Sequence, residues 1–372
     1  MPRWLAVLLA VLLVPVATAQ ALPPTDPVGT VQELRSAFDR SAVPDSIELL
    51  APRTLLGYST DPTRGYGSIH LTCRSASDAE HGRCPTADTG ARADGRTAIT
   101  LRFTERRSGM RTEITATGSL QRAFIDRACS SDLWHATEYP LSTRHGLECV
   151  GQAPGGTGAS LSIPGTELTR LVAGRWAAEL VLDLRSGDHG AVLASYTFHV
   201  DLSISDSDSA SIYFPASGLA TPHVGLDLQY DPNSQTIAGH AVLDMCLYDG
   251  AGSQSGYLGV TVRDVGGPSS AGSGYSVRHQ DGGDGPGQRV DYTVTLEHGR
   301  AQLPMANGIE QVLTGIDSVR LRLVVLPGMI QPVYCVPTPL SLDTLRVPIS
   351  SKRPGLYHGT LRVELRLPSS RP

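Results

Sequence analysis

Six cysteines, Cys73, Cys84, Cys129, Cys149, Cys246 and Cys335, carry the chemistry most readily specified from this sequence. No two form a Cys-x-x-Cys unit and no histidine stands at the spacing of a zinc partner, so no metal is expected and the thiols are left with oxidative pairing. Six cysteines allow fifteen connectivities. Among them Cys73 with Cys84, Cys129 with Cys149, and Cys246 with Cys335 are expected, because the first two pairs close local loops and the third lies wholly in the second half. Each bridge contributes about 2–4 kcal/mol, most for the longest loop. Nucleophilic and phosphate chemistry find no carrier: there is no Gly-x-Ser-x-Gly elbow, no His-Glu-x-x-His, and no P-loop lysine, the sole lysine being Lys352. The 11 histidines are scattered, and neither an enzymatic activity nor a cofactor is expected. Asp206 and Asp208 supply half the acidic pattern of a calcium loop without its glycine and closing glutamate, and read as linker solvation. Trp176, beside Leu171 and Leu180, reads as core rather than as a platform for a sugar ring.

Disulfides need an oxidising compartment, and the N-terminus supplies the route to one. Arg3 precedes an apolar run from Leu5 to Val16, then Ala17-Thr18-Ala19. That run is too short to span a bilayer and ends in small residues, so residues 1–19 read as a secretory signal peptide, with the mature chain starting at Gln20, the alternative start being Leu22. The remaining composition is that of a β protein: 39 Gly, 26 Pro and 5% aromatic residues in 372. The net charge of −5 gives no reason to expect nucleic acid.

Alternating apolar residues mark the strands. In Thr97 to Thr104, Ile99, Leu101 and Phe103 share a face, and in Glu179 to Arg185 so do Leu180, Leu182 and Leu184. Tyr196 to Ile204, Leu226 to Tyr230, Val290 to Leu296, Val319 to Val325 and Leu361 to Leu367 repeat the pattern. Val31, Leu34 and Phe38 have helical spacing behind Asp26 and Thr30, which predicts one short N-terminal helix. The polar run Ser205-Asp206-Ser207-Asp208-Ser209 separates two halves, giving a first domain over 20–204, a linker over 205–210 and a second domain over 211–372. The expected fold is all-β, two immunoglobulin-like β-sandwich domains in tandem. In the final strand Leu361, Val363, Leu365 and Leu367 form one face and Arg362, Glu364 and Arg366 the other. The residues alone leave two readings open: this strand completes its own sheet, or the sandwich is one strand short and presents a hydrophobic groove.

Several segments bear on that choice. Leu243-Asp244-Met245-Cys246-Leu247-Tyr248-Asp249-Gly250 is followed in order by Arg289-Val290-Asp291-Tyr292, Val325-Leu326-Pro327-Gly328, Pro332-Val333-Tyr334-Cys335-Val336-Pro337 and Gly355-Leu356-Tyr357-His358-Gly359-Thr360. Upstream stand Gly82-Arg83-Cys84-Pro85, Asp94-Gly95-Arg96-Thr97, Phe103-Thr104-Glu105 and Ile163-Pro164-Gly165-Thr166-Glu167-Leu168 with Trp176. In these segments the chain, from about Cys73 onward, resembles the colonization-factor (CFA/I-type, class 5) fimbrial tip adhesins, also described as CblD-like pilus biogenesis initiators.

The resemblance implies that the second domain lacks its final strand. A periplasmic chaperone would fill the groove along Leu361, Val363, Leu365 and Leu367, and the N-terminal extension of a major pilin subunit would replace it at the outer-membrane usher. The chain would then be exported to the periplasm and end at the fimbrial tip on the cell surface, accepting a strand and donating none. The resemblance also implies arginines near the first cysteine and after the Glu179–Arg185 strand as a basic pocket for acidic glycans on a host or other surface. Arg64, Arg74 and Arg185 are the nearest matches, although the paired-arginine motif itself is not reproduced. A guanidinium fork suits a carboxylate such as that of sialic acid. The alternative is a purely structural initiator of fibre assembly that binds no receptor.

Overall fold

The structure, a computed structural model, describes residues 22–128, 130, 132–187, 190–218, 220–266 and 274–368. The expected signal peptide at 1–19 and the start at Gln20 lie outside these residues, as do Cys129 and most of the glycine-rich stretch Gly266 to Gly274. The chain is all-β and forms two domains.

Strands β1 (Thr30–Asp39), β2 (Ser46–Tyr58), β3 (His70–Cys73), β4 (Thr97–Glu105), β5 (Arg111–Ala123), β6 (Tyr139–Pro140), β7 (Gly156–Pro164), β8 (Gly174–Arg185) and β9 (Val192–Ser205) build one sheet, ordered β1-β9-β8-β4-β5-β7-β2. Strand β3 lies on β8 and β6 on β5. The alternation read in β4 sends Ile99, Leu101 and Phe103 inward, all with no exposed surface, and Leu180, Leu182 and Leu184 of β8 meet them. Each such side chain contributes about 1.5–3 kcal/mol on burial. Trp176 is core, its Nε1 donating to the Val172 carbonyl at 2.8 Å.

The N-terminal helix expected from Val31, Leu34 and Phe38 is not formed. Thr30–Asp39 is instead a strand that runs parallel to β9 through ten paired positions, from Thr30↔Tyr196 to Asp39↔Ser205. Its true period is two: Leu34 and Phe38 face the core while Val31, Glu33, Arg35 and Ala37 face solvent. A single short helix is marginal in water, and ten ladder positions on an existing sheet outweigh a weak helical spacing.

In the second half, Ser211–Tyr213, Cys246–Tyr248, Val333–Pro337 and Arg322–Val324 form one sheet in that order. A second runs His240–Leu243, Leu340–Thr344, Arg289–His298, Tyr275–His279, Tyr357–His358, and a third Glu310–Thr314, Tyr257–Asp264, Leu361–Arg366. The strands expected over Leu226 to Tyr230 and Val319 to Val325 shrink to Gln229–Asp231 and Arg322–Val324. Leu226 and Val319 pack partly buried against the core without joining a ladder.

The two halves are not beads on a string. Asp206 to Ser209 form a tight turn, and Asp39 accepts from Ser205 Oγ (2.7 Å), Ser207 N (3.2 Å) and Ser207 Oγ (3.0 Å), holding the connection to β1. Cys246, Tyr248, Val324, Leu326, Val333 and Cys335 join the apolar cluster of the first half. Gln254 Nε2 donates to Glu105 Oε1 at 2.9 Å, and Arg107 donates to the carbonyls of Ile316 and Val319. Gly252, at φ +68°, comes so close to the first half that an added Cβ would stand 2.7 Å from Gly174 Cα.

Candidate functional site

The final strand, Leu361–Arg366, pairs with Tyr257–Asp264 on one side, from Gly259↔Arg366 to Asp264↔Leu361, and has no strand on its other edge among the described residues. Its inner face differs from its neighbour's. Leu258, Val260 and Val262 are fully enclosed, whereas Leu361, Val363, Leu365 and Leu367 touch the same core and stay only partly buried. An alternating strand whose apolar face is half covered, beside an unpaired backbone edge, can take a further strand by hydrogen bonding and by filling the space above those four side chains. The cross-link Cys246–Cys335, with Cα atoms 5.8 Å apart, joins two strands of a different sheet that packs against the first half.

The three arginines expected to act together do not line one recess. Arg64 sits on a surface turn, 3.8 Å from Asp26. Arg74 is held by Asp183 at 3.2 Å and by Ser195 Oγ at 3.2 Å, so its charge is answered within the protein. Arg185 alone lines a recess of about 210 Å³, with His70, Thr86, Ala87, Asp88, Arg144, Gly187 and Gly190.

The topology explains this company. Pairing of β3 with β8 sets His70 directly opposite Arg185, and the Cys73–Cys84 bridge draws the following loop back to the same place. Arg185 Nε donates to Thr72 Oγ1 at 2.9 Å and its Nη1 to the Gly190 carbonyl at 2.8 Å. It has no carboxylate partner among the described residues. Arg144 donates to the Gly187 carbonyl at 3.1 Å and pairs with Asp88 at 3.1 Å. Burial alone would raise the Asp88 carboxyl, but the N–H groups of Gly90 and Arg144 outweigh it and hold the group below its usual range. Burial pulls His70 down, so the imidazole is neutral at pH 7. With Asp88 and two guanidinium groups the recess keeps one net positive charge, suited to a single anionic group.

Behind the recess lies Arg122 of β5, with no exposed surface. It donates to the carbonyls of Ile69 (2.8 Å), Thr143 (2.7 Å) and His145 (3.0 Å) and to Thr157 Oγ1 (2.6 Å). These anchors flank His70 and Arg144, so one buried fork fixes two walls of the recess. Burial lowers its pKa to about 10, and it stays cationic at neutral pH. Arg144, Asp88 and His70 had no distinguishing signal in the sequence. Arg122 had one: it takes an inward position in the alternation Ile114, Ala116, Gly118, Leu120, Arg122.

The loop from Arg144 that carries this wall is tethered through Cys149, which is disulfide-bonded. Its expected partner Cys129 lies outside the described residues. A larger groove of about 480 Å³ crosses the outer face of β1, β9 and β8, but most of its charges answer each other. Arg106 pairs with Asp201, Arg102 with Glu80, and His81 and His199 share Glu179.

Two family models match the chain, both describing the CFA/I fimbrial protein CfaE: its first domain over residues 16–207 and its second domain over residues 210–369. The corresponding CFA/I fimbrial protein of Escherichia coli is 28% identical over 306 residues, 80% of this chain and 80% of the relative. Among solved structures, CfaE, the adhesive subunit of CFA/I fimbria of enterotoxigenic Escherichia coli, is similar with a TM-score of 0.75 at 24% identity, covering 94% of this chain and 95% of that one. A chain from a chaperone–tip adhesin complex of CFA/I fimbriae biogenesis gives 0.69 at 24% identity, covering 94% and 99%. At these identities the structural likeness speaks for the fold.

Proposed function

This chain belongs to the CfaE family of CFA/I-type fimbrial tip adhesins, and we propose that it initiates a chaperone–usher fibre by accepting a donor strand along Leu361–Arg366. The observation that carries this reading is the half-covered inner face of that strand beside fully enclosed neighbours. A second observation supports a direction of assembly: Thr25 bridges Tyr58 and Thr30–Asp39 is committed to β9, so this segment is not a free extension that could complete another subunit. A subunit that accepts a strand and donates none occupies the end of a fibre.

On this reading a periplasmic chaperone covers the edge first, as the chaperone–tip adhesin complex of a structural neighbour suggests, and a major pilin subunit replaces it at the outer-membrane usher. The proposed domains are 20–204 for adhesion and 211–372 for assembly, joined by 205–210, and the destination is the cell surface. No catalytic role is proposed.

The recess at Arg185 and Arg144 is the proposed receptor site, for one acidic group of a surface glycan, with Arg64 and Arg74 outside it. The experiment is a glycan array probed with the mature chain and with Arg185→Met. Retention of acidic glycans by the parent and their loss by the variant is expected. Equal retention by both would rule the recess out as the receptor site. The Arg144–Asp88 pair favours the second reading, a purely structural initiator, because it answers half of the positive charge internally. Silence of the folded parent on every acidic glycan would select that reading.

A further inference from the structure

The outer face of the strand-accepting edge carries an unanswered charge, and it restricts the partner. On the sheet formed by Glu310–Thr314, Tyr257–Asp264 and Leu361–Arg366, the solvent-facing rows are set by register. Thr261 stands between Glu310 and Glu364, and Arg366, opposite Gly259, reaches Glu310 at 2.7 Å. Arg366 thus answers Glu310 and leaves Glu364 over. In the next row Arg263 and Arg362 are directly opposite one another.

Like charges at directly opposed antiparallel positions destabilise a sheet. Arg263 is exposed and forms no ion pair among the described residues. Arg362, with 69% of its side chain exposed, turns along its own strand to Glu364 at 3.3 Å. Among the described residues one carboxylate therefore stands against two cations, and the position beside Arg362 in their row lies on the open edge, where the incoming strand must run.

We propose that the donor segment of the major pilin subunit carries an acidic residue on its solvent-facing side, in register with Arg362, and that Arg362 thereby selects the donor and its register. This rests on the strand-acceptor reading above. Either strand direction places one outward residue beside Arg362, so the inference does not depend on polarity. Outward donor residues do not fill the groove, which makes this selection independent of the apolar fit.

The test uses the mature full-length chain and short synthetic peptides of alternating valine and threonine, in which one outward threonine at a time is replaced by glutamate or by lysine. Affinity is measured at low salt, where exposed charges act most strongly. At one outward position glutamate is expected to bind about three- to tenfold tighter than lysine, and Arg362→Glu is expected to invert that preference. Arg362 is exposed, so the variant should melt as the parent does. If the peptides bind but no position discriminates more than twofold, or if Arg362→Glu leaves the preference unchanged, the inference is overturned and the strand acceptor stands. If no peptide binds, both are overturned.

Discussion

Arg122 offers the sharpest test of how the recess is built. Arg122→Met removes a fork that satisfies the Ile69, Thr143 and His145 carbonyls and Thr157 Oγ1. Thr157 Oγ1 already donates to the Tyr66 carbonyl, so it needs Arg122 as a donor in return. At least three of the four acceptors are deeply buried, and each unsatisfied one costs about 1–3 kcal/mol. Relief of the desolvated charge offsets part of this, leaving a net loss of about 3–5 kcal/mol. Arg122→Lys keeps the charge without the planar fork and should lose about half as much. Urea unfolding followed by tryptophan fluorescence is the assay, because Trp134 and Trp176 both belong to the first half and the remaining tryptophan, Trp4, falls within the proposed signal peptide. The expected order of midpoints is parent, then lysine, then methionine, with acidic-glycan retention falling in the same order. A methionine variant with parental midpoint and parental retention would refute this role for the buried fork.

Asp39→Ala should cost about 1 kcal/mol, as for loss of a side-chain cap with solvent screening keeping it modest, and should increase protease cleavage between Ser205 and Ala210. Burial opposes ionisation of Asp39, but hydrogen bonds from Ser205, Ser41 and Ser207 prevail and hold its carboxyl far below the usual range. The folded group therefore titrates below the unfolded one, so its contribution is complete above about pH 4 and is lost on further acidification. Acid melts of Asp39→Asn should lack that component. Replacing Cys246 and Cys335 together with alanine opens a loop with sequence separation 89 and should cost about 4–5 kcal/mol. Because both residues also pack against the first half, tryptophan-detected unfolding of that half should shift as well, rather than stay independent. Val363→Asp should prevent accumulation with the chaperone by placing an unpaired charge in the groove, which co-purification from a periplasmic extract measures.

How much of this could be read from the sequence depended on whether a position's role was local. The alternation Ile99, Leu101, Phe103 announces a strand because burial on one face dictates period two, and Leu361 to Leu367 does so for the same reason. Val31, Leu34 and Phe38 misled because three residues are too few to fix a period: the strand keeps Leu34 and Phe38 inward and turns Val31 out, and its partner β9 lies far away in sequence. The bridges Cys73–Cys84 and Cys246–Cys335 followed from loop closure and from placement within one half. The recess was illegible for the opposite reason. It gathers His70, Asp88, Arg144 and Arg185 from four separate segments, and an arginine's sequence neighbours do not record whether a carboxylate such as Asp183 will neutralise it in space. Arg74 and Arg185 look alike in sequence and part only through that contact. The second half's packing against the first, through Tyr248 and Leu326, was hidden because a polar linker suggests separation while saying nothing of the surfaces beyond it.

The open edge at Leu361–Arg366 is the claim on which the rest depends. Its most direct test is the thermal unfolding of the mature chain against the same chain extended after Pro372 by a flexible linker and a major-pilin donor segment. Covering four half-buried side chains and one strand edge, less the entropy of ordering the segment, should stabilise the second half by about 4 kcal/mol and raise its midpoint by roughly 10 °C. Identical midpoints for the two chains, with the appended segment still susceptible to protease, would contradict the claim that this half awaits a strand from another subunit.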